Sequence, residues 1–464
     1  MNFKRKERGK NLKYVLIGFL GIAAAAALIW ILFDKLEGDA PVLSLALESR
    51  YLQGSAEIPL TVSDEKSGLR RVYASILQEG REVTLVNKTV DREGAEEIAD
   101  PRRLELNLRI DAREMGLKDG DAQLLIAAWD QSWRQRFAGN LAYKEVEIVI
   151  DSTPPRVSVL TRQHNLSQGG SGLVVYRLSE PCKKHGVRVG DNFFPGHSGY
   201  FDDDDVHLAF FALRHDQVKD TDILLEAHDR AGNRGQSGFS YYIQNRSFPS
   251  DNLNLSDNFM RRVLPEFYSE PGFPFDDSRL AQFLFVNQDL RRKNDKRVLS
   301  LAGQSDDAIH WEGDFMALPR AQRMAGFADH RTYIYEGKTV DQQVHMGVDL
   351  ASMRHAPVPA ANNGRVVLAD WVGIYGDTVV IDHGSGVFSL YSHLSSIDVS
   401  EGDFVARGDI IGKTGTTGLA VGDHLHFSMI VGDVFVNPYE WWDARWVENN
   451  IAAKLESVAE QVGR

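Results

Sequence analysis

The first pattern along the chain is an uncharged apolar run at residues 14–33. Its length matches the ~20 residues that a helix needs to cross ~30 Å of hydrocarbon. Six cationic side chains precede it, so the positive-inside rule places the N-terminus in the cytoplasm and the remainder across the membrane. A cleaved signal peptide is the competing interpretation, but its small-residue cleavage site is missing, and the run ends in bulky residues at 30–33. We therefore predict a cytoplasmic tail at 1–13 and an uncleaved single-span transmembrane anchor at 14–33.

Short alternating runs of polar and apolar residues follow, separated by glycine, aspartate and asparagine. Regular short strands divided by turns are typical of antiparallel sandwiches. The pattern occurs twice, on either side of a stiff Asp-Ser-Thr-Pro-Pro linker at 151–155, and each copy closes with an aspartate and a later Gly-Asn turn, as in Asp130 and Asn140. This pattern resembles two tandem immunoglobulin-like β-sandwich modules, at 41–152 and 153–245. We interpret them as a spacer, with a binding arm as the alternative.

The pattern changes again after residue 245. Apolar residues at three- and four-residue intervals within 257–265 and 279–290 predict short helices, so we interpret 246–330 as a small helical connector. Residues 331–445 are rich in glycine and strand-like runs, which indicates an antiparallel β domain. An apolar stripe predicts an amphipathic helix at 446–464. The stripe consists of Ile451, Leu455, Val458 and Val462. The predicted fold class is mainly β.

Net charge and cysteine content exclude some classes of protein. The chain has 464 residues and a net charge of −13, which argues against a nucleic-acid-binding protein that works through a broad cationic field. Cys182 is the only cysteine, so an intrachain disulfide is excluded and stability must come from ordinary cores. We interpret Cys182 as a small buried residue, and Asp202 to Asp205 as a solvated acidic turn.

Five residues of the C-terminal part are candidates for chemistry. They are His345, Asp349, His393, His424 and His426. In a strand, alternate side chains share a face, so His424 and His426 would point one way while Leu425 and Phe427 point into a core. Zinc catalysis commonly uses three protein ligands from histidine, aspartate or glutamate and leaves a fourth position for water. The helical His-Glu-x-x-His arrangement is missing, so histidines that are not ligands would have to transfer protons.

These residues stand within a longer series of ordered motifs that resembles the M23 family of zinc metallopeptidases, the lysostaphin-like or LytM-type domains. The matching motifs are His345-x-x-x-Asp349, Gly364-Arg-Val, Gly376-Asp-Thr-Val-Val-Ile-Asp-His383, Tyr391-x-His393, Gly402-x-x-Val405-x-x-Gly408, Gly415-x-x-Gly418, His424-Leu-His426 and Asn437-Pro438. The resemblance covers 331–445, about a quarter of the chain. One departure is Asp423, at a position where relatives often carry proline.

The resemblance implies a role for each of the five residues. His345, Asp349 and His426 would be the ligands of Zn²⁺, and His393 and His424 the catalytic pair. The implied protein is a membrane-anchored zinc metalloendopeptidase that hydrolyses peptide cross-links of bacterial peptidoglycan in the periplasm, through metal-activated water and histidine general acid–base catalysis. Its partners would be the peptidoglycan peptide, the cytoplasmic membrane and other envelope proteins. The alternative is a non-catalytic or autoinhibited LytM-type regulator that activates another cell-wall hydrolase.

Three further histidines are interpreted as structural. His383 ends a predicted strand before a glycine, and His330 and His355 lie outside the family motifs that carry ligands. The five assigned positions already supply three ligands and two proton-transfer groups, so no chemical role remains for them.

Overall fold

The computed structural model describes residues 5–90 and 100–463. Helix α1 (Arg5–Lys35) begins the described chain. Its part Lys13–Lys35 is the only helix in these described ranges that is long and apolar enough to cross a membrane. A secretion signal satisfies the same criteria, so the helix suits either an anchor or a signal. Of the tail predicted at 1–13, residues 1–4 lie outside the described residues.

The chain forms two compact units. The first comprises Met1–Pro154 with Arg230–Asn233, and the second comprises Pro155–Asp229 with Arg234–Arg464. Each unit has its own cluster of buried apolar side chains, which is the usual requirement for a separate domain.

The first unit contains a three-stranded sheet (β1-β3-β6) and a five-stranded sheet (β2-β8-β7-β4-β5). The strands are β1 (Val42–Leu45), β2 (Tyr51–Leu52), β3 (Ser55–Ser63), β4 (Leu69–Gln78), β5 (Arg81–Thr89), β6 (Arg103–Asp111), β7 (Gly120–Asp130) and β8 (Leu141–Ile150), with short helices α2 (Ala112–Met115) and α3 (Arg134–Phe137). In this unit, hydrogen bonds of Asn140 join the Gly-Asn turn to the aspartate that precedes it. Its backbone and side-chain N–H groups donate to the two oxygens of Asp130, both at 2.7 Å.

Residues 155–245 form three smaller sheets, with orders β14-β11-β9, β13-β12-β15-β16 and β10-β17. The strands are β9 (Val157–Val159), β10 (His164–Ser167), β11 (Ser171–Leu178), β12 (Cys182–Val189), β13 (Asn192–Pro195), β14 (Val206–Ala212), β15 (Ile223–Asp229), β16 (Arg234–Gly238) and β17 (Tyr241–Gln244). β10 and β17 pair in parallel. The β character agrees with the sequence, whereas the identity of either module as immunoglobulin-like stays a prediction.

The connector is helical in its middle but not throughout. Helices α4 (Asp257–Val263), α5 (Arg279–Leu284) and α6 (Arg291–Leu299) are accompanied by strands β18 (Ser250–Asn254) and β19 (Gln322–Ala325). A π-helical stretch, Phe285–Leu290, joins α5 to α6. β18 pairs in parallel with β20 (Asp329–Tyr335), which pairs with β21 (Lys338–His345). The predicted boundary between 330 and 331 therefore falls inside β20, because a strand pairing distant in sequence extends across it.

The rest of the C-terminal part is built on a ten-stranded sheet whose recorded pairs are all antiparallel. Its strands are β19, β22 (Val348–Ala351), β23 (Pro357–Pro359), β24 (Gly364–Trp371), β25 (Asp377–Asp382), β26 (Val387–Ile397), β27 (Phe404–Val405), β28 (Ile410–Thr414), β29 (Leu425–Val431) and β30 (Val434–Val436). β29 lies between β22 and β26, so both edges of this strand are paired within the sheet.

The second β module packs directly on this C-terminal part. Trp441 is fully buried, and its ring contacts those of Phe210 of the module and of Trp311 and Phe315 of the connector region. One apolar core extends through all three regions. The module at 153–245 is therefore integral to the second unit, which departs from the expectation of an independent spacer, because its buried aromatic face is shared.

Short helices end the chain. They are α7 (Pro438–Trp442), α8 (Ala444–Val447) and α9 (Ala453–Val462), with a π-helical stretch, Glu448–Ala452, between the last two. Ile451, Leu455 and Val458 are buried, as the apolar stripe predicted.

Candidate metal centre

Three side chains from three strands, which belong to two sheets, meet at one point. His345 is the last residue of β21, Asp349 lies in β22 and His426 lies in β29, directly opposite Asp349 in the strand register. His345 Nε2, Asp349 Oδ1 and His426 Nδ1 lie 2.9 to 3.0 Å from one another. All three residues are buried or half-buried, so the group is a compact potential metal site at the edge of the sheet.

In His345 and His426, the ring nitrogen that points away from Asp349 forms a hydrogen bond with the protein. His345 Nδ1 lies 2.8 Å from the carbonyl of Gly326, to which it donates. Ser428 Oγ donates to the carbonyl of Met346, so it accepts from His426 Nε2 at 3.1 Å. Each ring therefore carries its proton on the outer nitrogen. The inner nitrogens turn two lone pairs towards the Asp349 carboxylate.

This donor set fits a divalent cation. Two imidazole lone pairs and a carboxylate oxygen within 3.0 Å repel one another unless a positive charge lies between them. Two imidazoles and one carboxylate are ligands that Zn²⁺ accepts, and three protein ligands leave a fourth position open.

Gly347 permits the approach of the strands at this point. A Cβ atom there would lie 2.6 Å from His426 Nε2, from the carbonyl oxygen of Phe427 and from Ser428 Oγ. Any larger residue would displace the imidazole or its serine partner, so the turn between β21 and β22 requires glycine.

His393 and His424 lie beside the metal group. Their ring centroids are 4.8 Å apart, and the ring of His393 lies 5.8 Å from that of His426. His424 Nε2 is 3.5 Å from Asp349 Oδ1. The predicted alternation of side chains is present. Leu425 and Phe427 are buried at 1% exposure, whereas His424 and His426 line the cavity.

Backbone carbonyls orient both of these rings. His393 Nδ1 lies 2.8 Å from the carbonyl of Thr417, and His424 Nδ1 lies 2.7 Å from that of Gly422. Since a carbonyl can only accept, Nδ1 carries the proton in each ring. Nε2 is then the nitrogen available for proton exchange at the site.

The surroundings of the site shift the pKa values of its side chains. Burial opposes charge on Asp349, yet its electrostatic interaction with His345 and its close contacts with the surrounding histidines hold its pKa well below the usual range. Burial lowers the pKa of His426 to about 4 and that of His393 well below its usual value. Burial acts in the same direction on His424, but the hydrogen bond to Asp349 and its charge raise the pKa overall. An ionised carboxylate and a neutral His426 are the forms that bind a cation.

A cavity of about 330 Å³ opens onto the five residues. Tyr375 and the loop at 419–423 form part of its wall, and exposed Met324 and Val421 stand at its rim. The ring of Tyr375 lies 5.7 Å from that of His426. The site is therefore accessible to an extended ligand from the surface.

Sequence reasoning missed two side chains of this site. Arg331 Nη2 donates to Asp349 Oδ2 at 3.1 Å, which leaves Oδ1 for the metal position. Tyr375 reaches the site because its hydroxyl donates to Asp295 of α6 at 2.7 Å. Neither residue carries a spacing signal, because both contacts join segments distant in the chain.

The remaining histidines lie outside the metal group. His383 is fully buried, donates from Nδ1 to the carbonyl of Asn363 and contacts the Ser389 hydroxyl. His355 is bound to Ser395 near Asp423, and His330 is exposed on β20. These positions agree with a structural interpretation.

The similarity to known proteins is concentrated in the same region of the chain. Residues 343–438 match the sequence model of Peptidase family M23. The DD-carboxypeptidase/endopeptidase Mpg of Neisseria meningitidis serogroup B is 38% identical over 96 residues, 21% of this chain and 22% of that protein. The peptidoglycan DD-endopeptidase ShyB of Vibrio cholerae is 36% identical over 188 residues, 39% of this chain and 42% of that protein. The chain thus matches less than half the length of these relatives.

Among solved structures, the catalytic domain of lysostaphin from Staphylococcus simulans aligns with 28% of this chain and 98% of that chain, at 28% identity and a TM-score of 0.25. All five clustered side chains lie within the segment that matches the family. The segment at residues 343–438 of this chain is a domain of Peptidase family M23.

Proposed function

We propose that this protein is a membrane-anchored zinc metalloendopeptidase that hydrolyses peptide cross-links of bacterial peptidoglycan. One observation carries the proposal: two imidazole lone pairs and the Asp349 carboxylate converge within 3.0 Å, beside two further histidines with fixed tautomers. The names of the relatives Mpg and ShyB, both endopeptidases, support the reaction class, and the name of ShyB, a peptidoglycan endopeptidase, supports the substrate class.

His345, Asp349 and His426 would hold the zinc ion. Zinc in such a site supplies Lewis acidity, which polarises a peptide carbonyl and makes water acidic enough to attack near neutral pH. Arg331 keeps the second oxygen of Asp349 occupied, and Gly326 and Ser428 keep the ligand rings in the required tautomers.

His393 and His424 would transfer protons. The carbonyls of Thr417 and Gly422 hold Nδ1 of each ring, so Nε2 exchanges a proton with the attacking water or with the peptide. One histidine accepts the proton of the water on Nε2, while the other, as an imidazolium that also carries a proton on Nε2, donates a hydrogen bond to the oxyanion that develops on the carbonyl.

The apolar helix α1 would anchor the protein in the cytoplasmic membrane, with the catalytic part outside the cytoplasm. Its length and apolar composition support this placement, together with the cationic residues before the span. The substrate, a polymer of the cell envelope, would then be on the same side as the active site.

The test uses the full-length protein in detergent with purified peptidoglycan, and identifies released fragments by mass spectrometry. The expected result is a set of fragments that define one cleaved peptide bond and disappear with a chelator. His424→Ala should lower the rate by about 10²- to 10⁴-fold, the usual contribution of a general acid or base. His330→Ala, which changes an exposed histidine outside the site, should retain the wild-type rate.

A protein that contains stoichiometric zinc but releases no fragments would contradict the proposed activity of the full chain. A protein with neither zinc nor activity would support the alternative, a regulator of another hydrolase. Zinc content is therefore measured on the same sample.

A further inference from the structure

The cavity at the metal centre continues into a second one. A cavity of about 470 Å³ lies between the connector and the loop at 419–423. It shares four wall residues with the first cavity: Arg291, Arg331, Leu419 and Val421. The two cavities therefore form one cleft that leads from the metal centre along the connector.

The walls of the second cavity are apolar and cationic. Phe259, Phe283 and Tyr333 supply aromatic surface, and the charged lining residues are three arginines. They are Arg262, Arg291 and Arg331. Within the described residues, this lining contains no carboxylate, although the whole chain has a net charge of −13. A positive, partly apolar wall favours a ligand that carries negative charge.

Arg291 is oriented for such a ligand. Its Nε donates to the carbonyl of Asn287 at 3.1 Å and its Nη2 donates to Asn287 Oδ1 at 2.7 Å. These two bonds fix one side of the guanidinium plane. In the described part of the chain, Nη1 makes no hydrogen bond, so the Nη1–Nη2 edge can bind a carboxylate through two parallel hydrogen bonds.

The other two arginines are already engaged with the framework of the cleft. Arg331 donates to the metal-group residue Asp349, and Arg262 donates to the carbonyl of Val421 at 3.1 Å. Asp295, one turn beyond Arg291 on α6, interacts electrostatically with Arg291 and also accepts a hydrogen bond from the Tyr375 hydroxyl. Arg291 differs from both because two hydrogen bonds to one residue, Asn287, fix its guanidinium plane, while in the described part of the chain its Nη1 makes no hydrogen bond.

We infer that Arg291 forms an anion subsite of the cleft that binds a free carboxylate of the peptide substrate close to the cleaved bond. The inference rests on the proposed function and adds a specificity-determining residue from outside the M23 domain. The carboxylate is either a chain terminus or an acidic side chain, since both present the same pair of oxygens.

The test compares synthetic cross-linked peptides that differ in one group. One peptide has all carboxylates free, a second has the terminal carboxylate as a carboxamide, and a third has the side-chain carboxylate as a carboxamide. For the full-length wild-type protein, one of the two carboxamides should raise KM about tenfold, equivalent to ~1.4 kcal/mol. The carboxamide that raises KM shows whether the bound carboxylate is the chain terminus or the acidic side chain.

Arg291→Gln should raise KM for the free peptide by the same factor and leave KM for that carboxamide unchanged. Arg292→Gln is the matched control, because the adjacent arginine is 77% exposed and pairs with Asp289 on the outer face of the helix. It should behave as wild type with all three peptides.

Equal KM values of the wild-type protein for all three peptides would overturn the inference while leaving the endopeptidase proposal intact. This comparison needs no variant, so a folding defect in Arg291→Gln does not affect it. Failure to cleave any of the three peptides, or peptidoglycan itself, would instead contradict the proposed function.

Discussion

His393 adopts a backbone conformation that few non-glycine residues occupy. Its φ is +60°, and it lies where the pairing of β26 with β25 shifts register. A bulge of this kind turns a side chain out of the regular alternation of a strand. Left-handed backbone at a non-glycine residue costs of order 1–3 kcal/mol and persists where the surroundings hold it. The hydrogen bond from Nδ1 to Thr417 is one such restraint.

Ser428 offers a residue-level test of the metal centre. Ser428→Ala removes the hydroxyl that accepts from His426 Nε2 and so frees the ring to change tautomer and orientation. Loss of such an outer partner typically weakens metal binding by about 10- to 100-fold. We expect a loss of zinc affinity in this range, measured by competition with a chromophoric chelator.

Ser395→Ala is the matched control for the serine change. Ser395 binds His355, which lies outside the metal group. Unchanged zinc affinity in Ser428→Ala would contradict the assigned tautomer of His426.

At the level of elements, the connector supports the loops around the candidate metal centre. Glu266 accepts from the backbone N–H of Gly418 at 2.6 Å, next to the carbonyl of Thr417 that holds His393. Asn294 of α6 accepts from the N–H of Ile374 at 2.9 Å. The loops around the metal centre therefore depend on segments that precede the M23 domain in sequence.

Asn294→Ala tests this support. It leaves the N–H of buried Ile374 without its partner, which costs about 1–3 kcal/mol in the free energy of unfolding. Denaturant unfolding would measure the loss.

Arg292→Ala, an exposed change on the same helix, should alter the free energy of unfolding by less than about 0.5 kcal/mol. Equal stability of the two variants would mean that α6 does not support the loop.

At the level of the whole molecule, the two units have separate cores. The core of the second unit includes the β module at 155–245, the connector and the M23 domain, while the first unit has its own apolar cluster. Separate cores predict separate unfolding transitions. The M23 domain should not unfold independently of the module that packs on it.

Trp441→Ala tests that division. Trp441 has no exposed surface and contacts Phe210, Trp311 and Phe315. Truncating a buried tryptophan typically costs about 3–5 kcal/mol. Hydrogen exchange under increasing denaturant should show 155–229 and 234–463 destabilised together, with residues 41–90 unchanged.

The control for this variant is Trp133→Ala, since Trp133 lies in the first unit and is 42% exposed. Destabilisation confined to the M23 segment in Trp441→Ala would contradict a shared core.

Features that depend on local patterns of residues could be predicted from the amino-acid sequence. The apolar run at 14–33 agrees with helix α1, and the alternation in His424-Leu425-His426-Phe427 agrees with two buried and two site-facing side chains. The resemblance of 331–445 to the M23 family followed from ordered motifs, and the family relationship is confirmed over 343–438. Strand and helix periodicity act over a few residues, so one sequence is sufficient to show them.

Contacts between segments that are distant in the sequence became visible only in the folded structure. It brought Arg331 to Asp349, placed Arg291 on the wall of the cleft, and merged the second β module with the peptidase core. It also paired β18 with β20 across the predicted domain boundary. Such contacts depend on which surfaces bury one another after the chain has folded, and no spacing within a single sequence records that choice.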